Sequence, residues 1–220
     1  MINLIFFNIF IILLLLFIIY IFYRHYYFLY LSDNIINIDE LIDTCNTGDI
    51  LLFRYKSLDP LHNIISLFSH IGMIYVDRNN KKKIIETHNS GDTKYLNLDN
   101  EGVQIYDIKD RIKGYEGNVY LAKNLSQNIN NNIIHNKLEM YKNIPFNTNY
   151  RNDFINQCLL FSKYDTSPKL QCSQFIGLLL KDLNVLPEDF NLTCLTPEYF
   201  LSLKDKNNEL IFDITKKIIY

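Results

Sequence analysis

Phe68-Ser69-His70-Ile71-Gly72-Met73-Ile74-Tyr75-Val76, the polar run Asp77 to Lys83, and Ile84-Ile85-Glu86-Thr87-His88 decide how this chain folds. The two flanking segments are rich in strand formers and the middle one has hairpin-loop composition, so the stretch predicts two antiparallel strands. Side chains alternate along a strand, which puts Glu86 and His88 on one face. His70 opens its strand, and an end position lets an imidazole face a cleft.

Working outward, Asn46-Thr47-Gly48-Asp49 is turn chemistry and Ile50 to Tyr55 is an apolar run ended by charge, as expected of a buried strand. Asp59-Pro60 offers an N-cap and first helical residue for Leu61 to Phe68. Gly102 to Tyr106 and Asn118 to Ala122 read as further strands, separated by a charged segment, Asp107 to Lys113, with the length of a short helix. Helical spacing then takes over from Ser126 to Tyr141, and Pro145 closes that helix. From Leu170 to Leu186 the apolar positions cover most of a helix surface, which predicts a central, largely buried helix. Thr196-Pro197-Glu198 starts another helix, and Leu210 to Ile214 is expected to add a last strand. A β-rich first half and a helical second half define an α+β domain with a sheet packed on the buried helix.

Ahead of the domain, Ile2 to Tyr23 carries no charged residue, and Ile9 to Ile19 is all isoleucine, leucine or phenylalanine. A bilayer core needs roughly 20 such residues, so residues 2–23 are expected to bind a membrane lipid bilayer as one uncleaved transmembrane helix. A signal peptide would need a basic start and small residues at a cleavage site, whereas Tyr20 to Tyr30 is dominated by aromatics. The chain therefore divides into an anchor (1–23), a juxtamembrane linker (24–44) and one globular domain (45–220). At 220 residues, 48% hydrophobic and 21% charged, it can build a sizeable core. A formal charge of −2 without a basic stripe argues against nucleic acid as a partner.

The chemistry-bearing candidates are His70, Glu86 and Cys172. Catalysis by a thiol at neutral pH needs its pKa of about 8.5 lowered, which a helix N-terminus and a neighbouring imidazolium both do. Cys172, in Gln171-Cys172-Ser173-Gln174-Phe175, stands where the apolar helix begins. Cys158 has no turn before it, and Cys45 and Cys194 lie in expected loops, so none is aimed at a histidine in this way. A histidine acting as general base must be held in one tautomer by an acceptor. Glu86, in the partner strand, can be that acceptor, with His88 as a substitute orienter or substrate contact. A zinc site from His70, His88 and Cys172 is the rival reading, although close Cys-x-x-Cys or His-x-x-x-His spacing is missing. No metal and no cofactor is expected.

The sequential pattern resembles the circularly permuted papain-like hydrolases of the NlpC superfamily, in particular the YiiX-like group of bacteria and large DNA viruses. The resemblance rests on Thr47-Gly48-Asp49-Ile50-Leu51-Leu52-Phe53, Ser69-His70-Ile71-Gly72, Ile84-Ile85-Glu86, Gly102-Val103 and Cys172-Ser173-Gln174-Phe175-Ile176. It spans roughly residues 45 to 186. It implies a permuted papain-like fold with an antiparallel sheet packed on the nucleophile helix. By position it makes His70 the general base, Glu86 its orienter and Cys172 the nucleophile. Gln174 departs from the family, where an acidic residue is common after the Cys-Ser pair.

These readings converge on a membrane-anchored thiol hydrolase of the amidase or peptidase type. A lipid acyl hydrolase or acyltransferase on the same triad is the first alternative, and a catalytically silent, membrane-tethered binding or structural module the second. Substrates would be peptide or other amide bonds, or acyl-lipid esters. The backbone N–H of Cys172 would supply one oxyanion donor, and Gln171 is the candidate for the other. With Cys172 a working thiol, Cys45, Cys158 and Cys194 cannot all pair, which favours a cytosol-facing domain. The sequons Asn124-Leu125-Ser126 and Asn191-Leu192-Thr193 point the other way.

Overall fold

A computed structural model describes residues 2–56, 66–88, 102–125, 129, 131–147, 169–205, 207–213 and 216–220. The helix expected from Leu61, together with Cys158 and Ser167-Pro168, lies largely or wholly outside them. Where that helix was expected to end, Ser66 to Phe68 are not helical.

Among the described residues the elements run α1 (Ile2–Asp33), β1 (Ile35–Asn37), α2 (Ile38–Thr44), β2 (Ile50–Tyr55), β3 (His70–Val76) and β4 (Lys82–His88). There follow β5 (Gly102–Asp107), α3 (Ile108–Lys113), β6 (Gly117–Ala122), α4 (Asn131–Tyr141), α5 (Cys172–Asp182) and β7 (Lys216–Ile219). The fold is mixed α+β, built on a seven-stranded sheet of order β1-β7-β6-β2-β3-β4-β5.

The predicted hairpin is β3 and β4, paired antiparallel with Met73 opposite Ile85. Its turn is tied by Asp77, whose side chain accepts the backbone N–H groups of Asn79 and Lys81. In front of β2, Asp49 is buried and its carboxylate accepts the N–H groups of Asn46 and Asn124, so the turn before the strand is locked to the end of its neighbour β6.

Alternation sorts the strand residues into two cores. Ile50, Leu52, Ile71, Met73, Ile85 and Tyr120 face α4 and α5 and bury Phe175, Ile176, Leu179 and Leu180. Leu51, Phe53, Ile74, Ile84, Val119 and Leu121 face α2 and α3. The central strands are thus buried on both faces, which explains why β2 reads as a continuous apolar run.

Three boundaries differ from the sequence expectation. The sheet begins upstream of Cys45: β1 pairs in parallel with β7, Ile36 against Ile218, and Ile36, Ile38 and Leu41 join the α2–α3 core. Asn37 then caps α2 by accepting the Glu40 N–H at 2.7 Å. The last strand is Lys216–Ile219, while Leu210 and Phe212 form only isolated bridges to Lys204 and Asn124. Helix α5 stops at Asp182 because Asn184 adopts a left-handed φ of 57°.

In α1, Phe6–Arg24 is long and apolar enough to cross a membrane, with a mean hydropathy of 2.8 and none of it buried within the protein. Its end is fastened to the domain. Arg24 pairs with Glu198 at 2.9 Å, and Tyr27 packs against the α4–α5 core. Cys45 and Cys172 are free thiols, but Cys194 is disulfide-bonded. Cysteine usage therefore ceases to favour a reducing compartment.

Candidate active site

Helix α5 packs on the Ile71 and Met73 face of the sheet, whereas His70 and Glu86 belong to the opposite face. The two halves meet at the N-terminal end of β3. Cys172, the first residue of α5, lies there half-buried, beside His70 and the backbone N–H of Ile71. Its Sγ is 3.9 Å from the Ser173 Oγ.

His70 Nε2 is 2.7 Å from Glu86 Oε2, which leaves Nδ1 for the thiol side. Glu86 is fully buried, and the His70 side chain is 15% exposed, so the carboxylate is sealed while the imidazole has an outlet. Gly72 stands on the same face as these two, and a Cβ there would come within 2.6 Å of the Ile84 side chain. Any larger residue here would have to push the Ile84 side chain aside.

Charges shift accordingly. Burial alone would push the Glu86 carboxyl up, but Arg111 and then His70 overcome it and hold the group down at about 2. Burial would pull His70 down, yet the facing Glu86 and Cys172 raise it from 6.5 to about 9. Burial likewise opposes ionisation of Cys172, and the His70 charge, with hydrogen bonds from His70, Ser173 and the Ile71 N–H, lowers its pKa instead. Both shifts act in favour of the charged forms, thiolate on Cys172 and imidazolium on His70. The N-terminal end of the α5 dipole acts in the same direction.

The sequence missed Arg111. Its Nε donates to Glu86 Oε1 at 2.5 Å and its NH2 group lies 3.3 Å from Oε2, a two-pronged grip on a buried carboxylate. The guanidinium also lies 4.6 Å from the Phe53 ring centroid and 5.4 Å from that of Tyr115. A signal for it existed. Ile108, Arg111 and Ile112 form the i, i+3, i+4 stripe that α3 buries, and an arginine there requires a buried acid.

Two further candidates have other partners. His88 is buried, and its Nε2 lies 2.5 Å from the Tyr106 hydroxyl, with the rings stacked at 5.8 Å; the carboxylate partner of His70 is Glu86. Gln171 is the N-cap of α5, and its backbone N–H donates to the Gln174 side-chain oxygen at 3.2 Å, half of a capping box. Gln174, which departs from the resembled family, thus supplies the oxygen that closes the helix start. His70, His88 and Cys172 do not assemble a metal cluster, and among the described residues no group of three His, Cys, Asp or Glu side chains could hold a metal ion.

No family model and no curated protein matches the chain. Among solved structures it is similar to the metalloprotein yiiX from Escherichia coli O157:H7, at 16% identity and a TM-score of 0.44, over 80% of this chain and 88% of that one. That protein shares its name with the group the sequence resembles. A likeness of this size carries no chemistry, which rests on the residues described above.

Proposed function

We propose that the chain is a membrane-anchored thiol hydrolase of permuted papain-like architecture, with Cys172 as nucleophile, His70 as acid and base, and Glu86 as orienter. The observation that carries this reading is the buried 2.7 Å contact between His70 Nε2 and Glu86 Oε2, on an imidazole whose other side meets a thiol at a helix start. The thiolate would attack an amide or ester carbonyl carbon. The imidazolium would then pass its proton to the leaving nitrogen or oxygen as that bond breaks. Water, deprotonated by His70, would next attack the thioester and return the thiol. In acyl transfer a second alcohol or amine takes the place of water. The Cys172 N–H at the start of α5 is the oxyanion donor in this scheme, worth about 3 kcal/mol.

One observation favours an acyl-lipid substrate over a soluble amide. Glu198, the residue that pairs with Arg24 at the end of the apolar helix, also accepts the N–H of Leu67, three residues before His70. A domain fastened in this way would keep its cleft beside the bilayer.

The test uses the full chain in detergent micelles, alkylated with iodoacetamide across a pH series and mapped by peptide mass. The expected result is fast labelling of Cys172 below neutral pH, lost in His70→Ala and abolished in Cys172→Ser. Slow labelling of Cys172 that rises only near pH 8.5, as for an ordinary thiol, would sink the hydrolase in favour of a silent tethered module.

A further inference from the structure

Resting on the triad reading above, we propose that Arg111 is a positioning residue: it fixes the Glu86 carboxylate and balances its charge, so that Glu86 can hold His70 beside Cys172. The buried groups form a row of alternating sign, Arg111, Glu86, His70 and Cys172, whose charges cancel. Two elements far apart in sequence converge to build it, because Arg111 comes from α3 and Cys172 from α5.

Each grip on Arg111 is specific to a flat, forked cation. Two donors meet two carboxylate oxygens, and two aromatic rings cover the guanidinium. The same Phe53 ring lies 5.4 Å from the His70 ring, so one side chain braces both ends of the Glu86 contacts. Arg111 is 5% exposed, which leaves it little access to substrate and confines it to acting through Glu86.

The other ionisable groups around the row do not replace it. Tyr106 on β5 lies 2.5 Å from His88 on β4, and Tyr115 after α3 is 3.1 Å from the Ser69 hydroxyl. Tyr55 on β2 bonds Glu116. On α3, Lys109 turns away to Asp39, and at the rim Lys83 pairs with Asp107. Burial raises the phenols of Tyr106 and Tyr115 further, so both stay neutral near neutral pH and the balance rests on Arg111.

Without that cation the row carries one surplus negative charge. Proton uptake relieves it, either on the thiolate or on Glu86, and uptake on Glu86 weakens the imidazolium that sustains the thiolate. Both routes move thiolate formation to higher pH.

The experiment follows the rate of Cys172 alkylation against pH in the full chain in micelles, for wild type, Arg111→Met and Arg111→Lys. Arg111→Met is expected to shift the acid limb upward by about one pH unit. Arg111→Lys keeps the charge but not the fork, and is expected to leave the limb in place while lowering the plateau rate about fivefold. A merely structural role would reduce the folded fraction without moving the limb. The proposal is overturned if Arg111→Met keeps the wild-type limb or, should that variant not fold, if Arg111→Lys keeps both limb and plateau. An ordinary thiol profile in wild type would instead overturn the triad, and this proposal with it.

Discussion

The five buried residues of β4 fall into two groups that are equally hidden from solvent and chemically opposite. Ile84 and Ile85 fill the two cores, whereas Glu86, Thr87 and His88 are just as buried and polar. An isoleucine in such a place stabilises by about 1.5–3 kcal/mol through burial alone. A buried carboxylate costs more than that unless partners surround it. The structure surrounds it: Glu86 has Arg111 and His70, and His88 has Tyr106. One group builds the fold, and the other is held in place by it.

Removing the carboxylate should have the largest effect. Glu86→Ala leaves Arg111 and His70 buried without their counter-charge, and is expected to cost about 3–5 kcal/mol and to abolish fast alkylation of Cys172 below neutral pH. Guanidinium unfolding in micelles and the alkylation assay read the two losses. Ile85→Ala, one residue away, should cost about 2–4 kcal/mol through its cavity yet leave the pH profile of Cys172 unmoved. If both substitutions move that profile alike, the division of the strand fails.

The pH dependence of stability sharpens the same contrast. Glu86, lowered from 4.5 to about 2, contributes stability that is present above pH 4.5 and lost as pH falls through about 2. His70, raised from 6.5 to about 9, contributes stability that is complete below pH 6.5 and lost as pH rises through about 9. Cys172 works in the opposite sense to His70, so the alkaline decline is best read in Cys172→Ser protein. Unfolding titrations should show Ile85→Ala with the wild-type shape at lower stability and Glu86→Gln with both limbs flattened. The smallest effect belongs to Tyr106→Phe, which takes a hydroxyl from buried His88. It should cost about 1–3 kcal/mol and leave the acid limb of Cys172 in place. A shifted limb would give His88 a part in orienting His70.

Much of this contrast is legible in the amino-acid sequence. The hairpin of β3 and β4 shows through its strand formers and the Asp77–Lys83 loop, β2 shows as an apolar run after a turn, and β5 and β6 show as further short strands. The meeting of His70, Glu86 and Cys172 could be anticipated because two of them lie in paired strands and the third at a helix start. Strand β1 could not be read, since Ile35-Ile36-Asn37 is too short for periodicity and takes its conformation from pairing with β7. The last strand was misplaced because Ile211 and Phe212 are buried like strand residues without joining the sheet, whereas β7 offers two lysines in its four positions. Arg111 passed as one more charge in a charged segment. Only its place on the Ile108–Ile112 stripe, and the acid waiting beneath, distinguishes it.

The parallel pairing of β1 with β7 also sets an order in time. These strands are the first and the last of the sheet in chain order, so their contact closes the longest loop between paired strands and carries the greatest chain entropy. Strand β1 follows directly on the apolar helix, and it has no sheet neighbour until β7 arrives. The β1–β7 edge of the sheet is therefore the last part to close during folding. Slowing or blocking β7 would leave a chain with an open sheet edge, where a strand from another copy could pair in its stead.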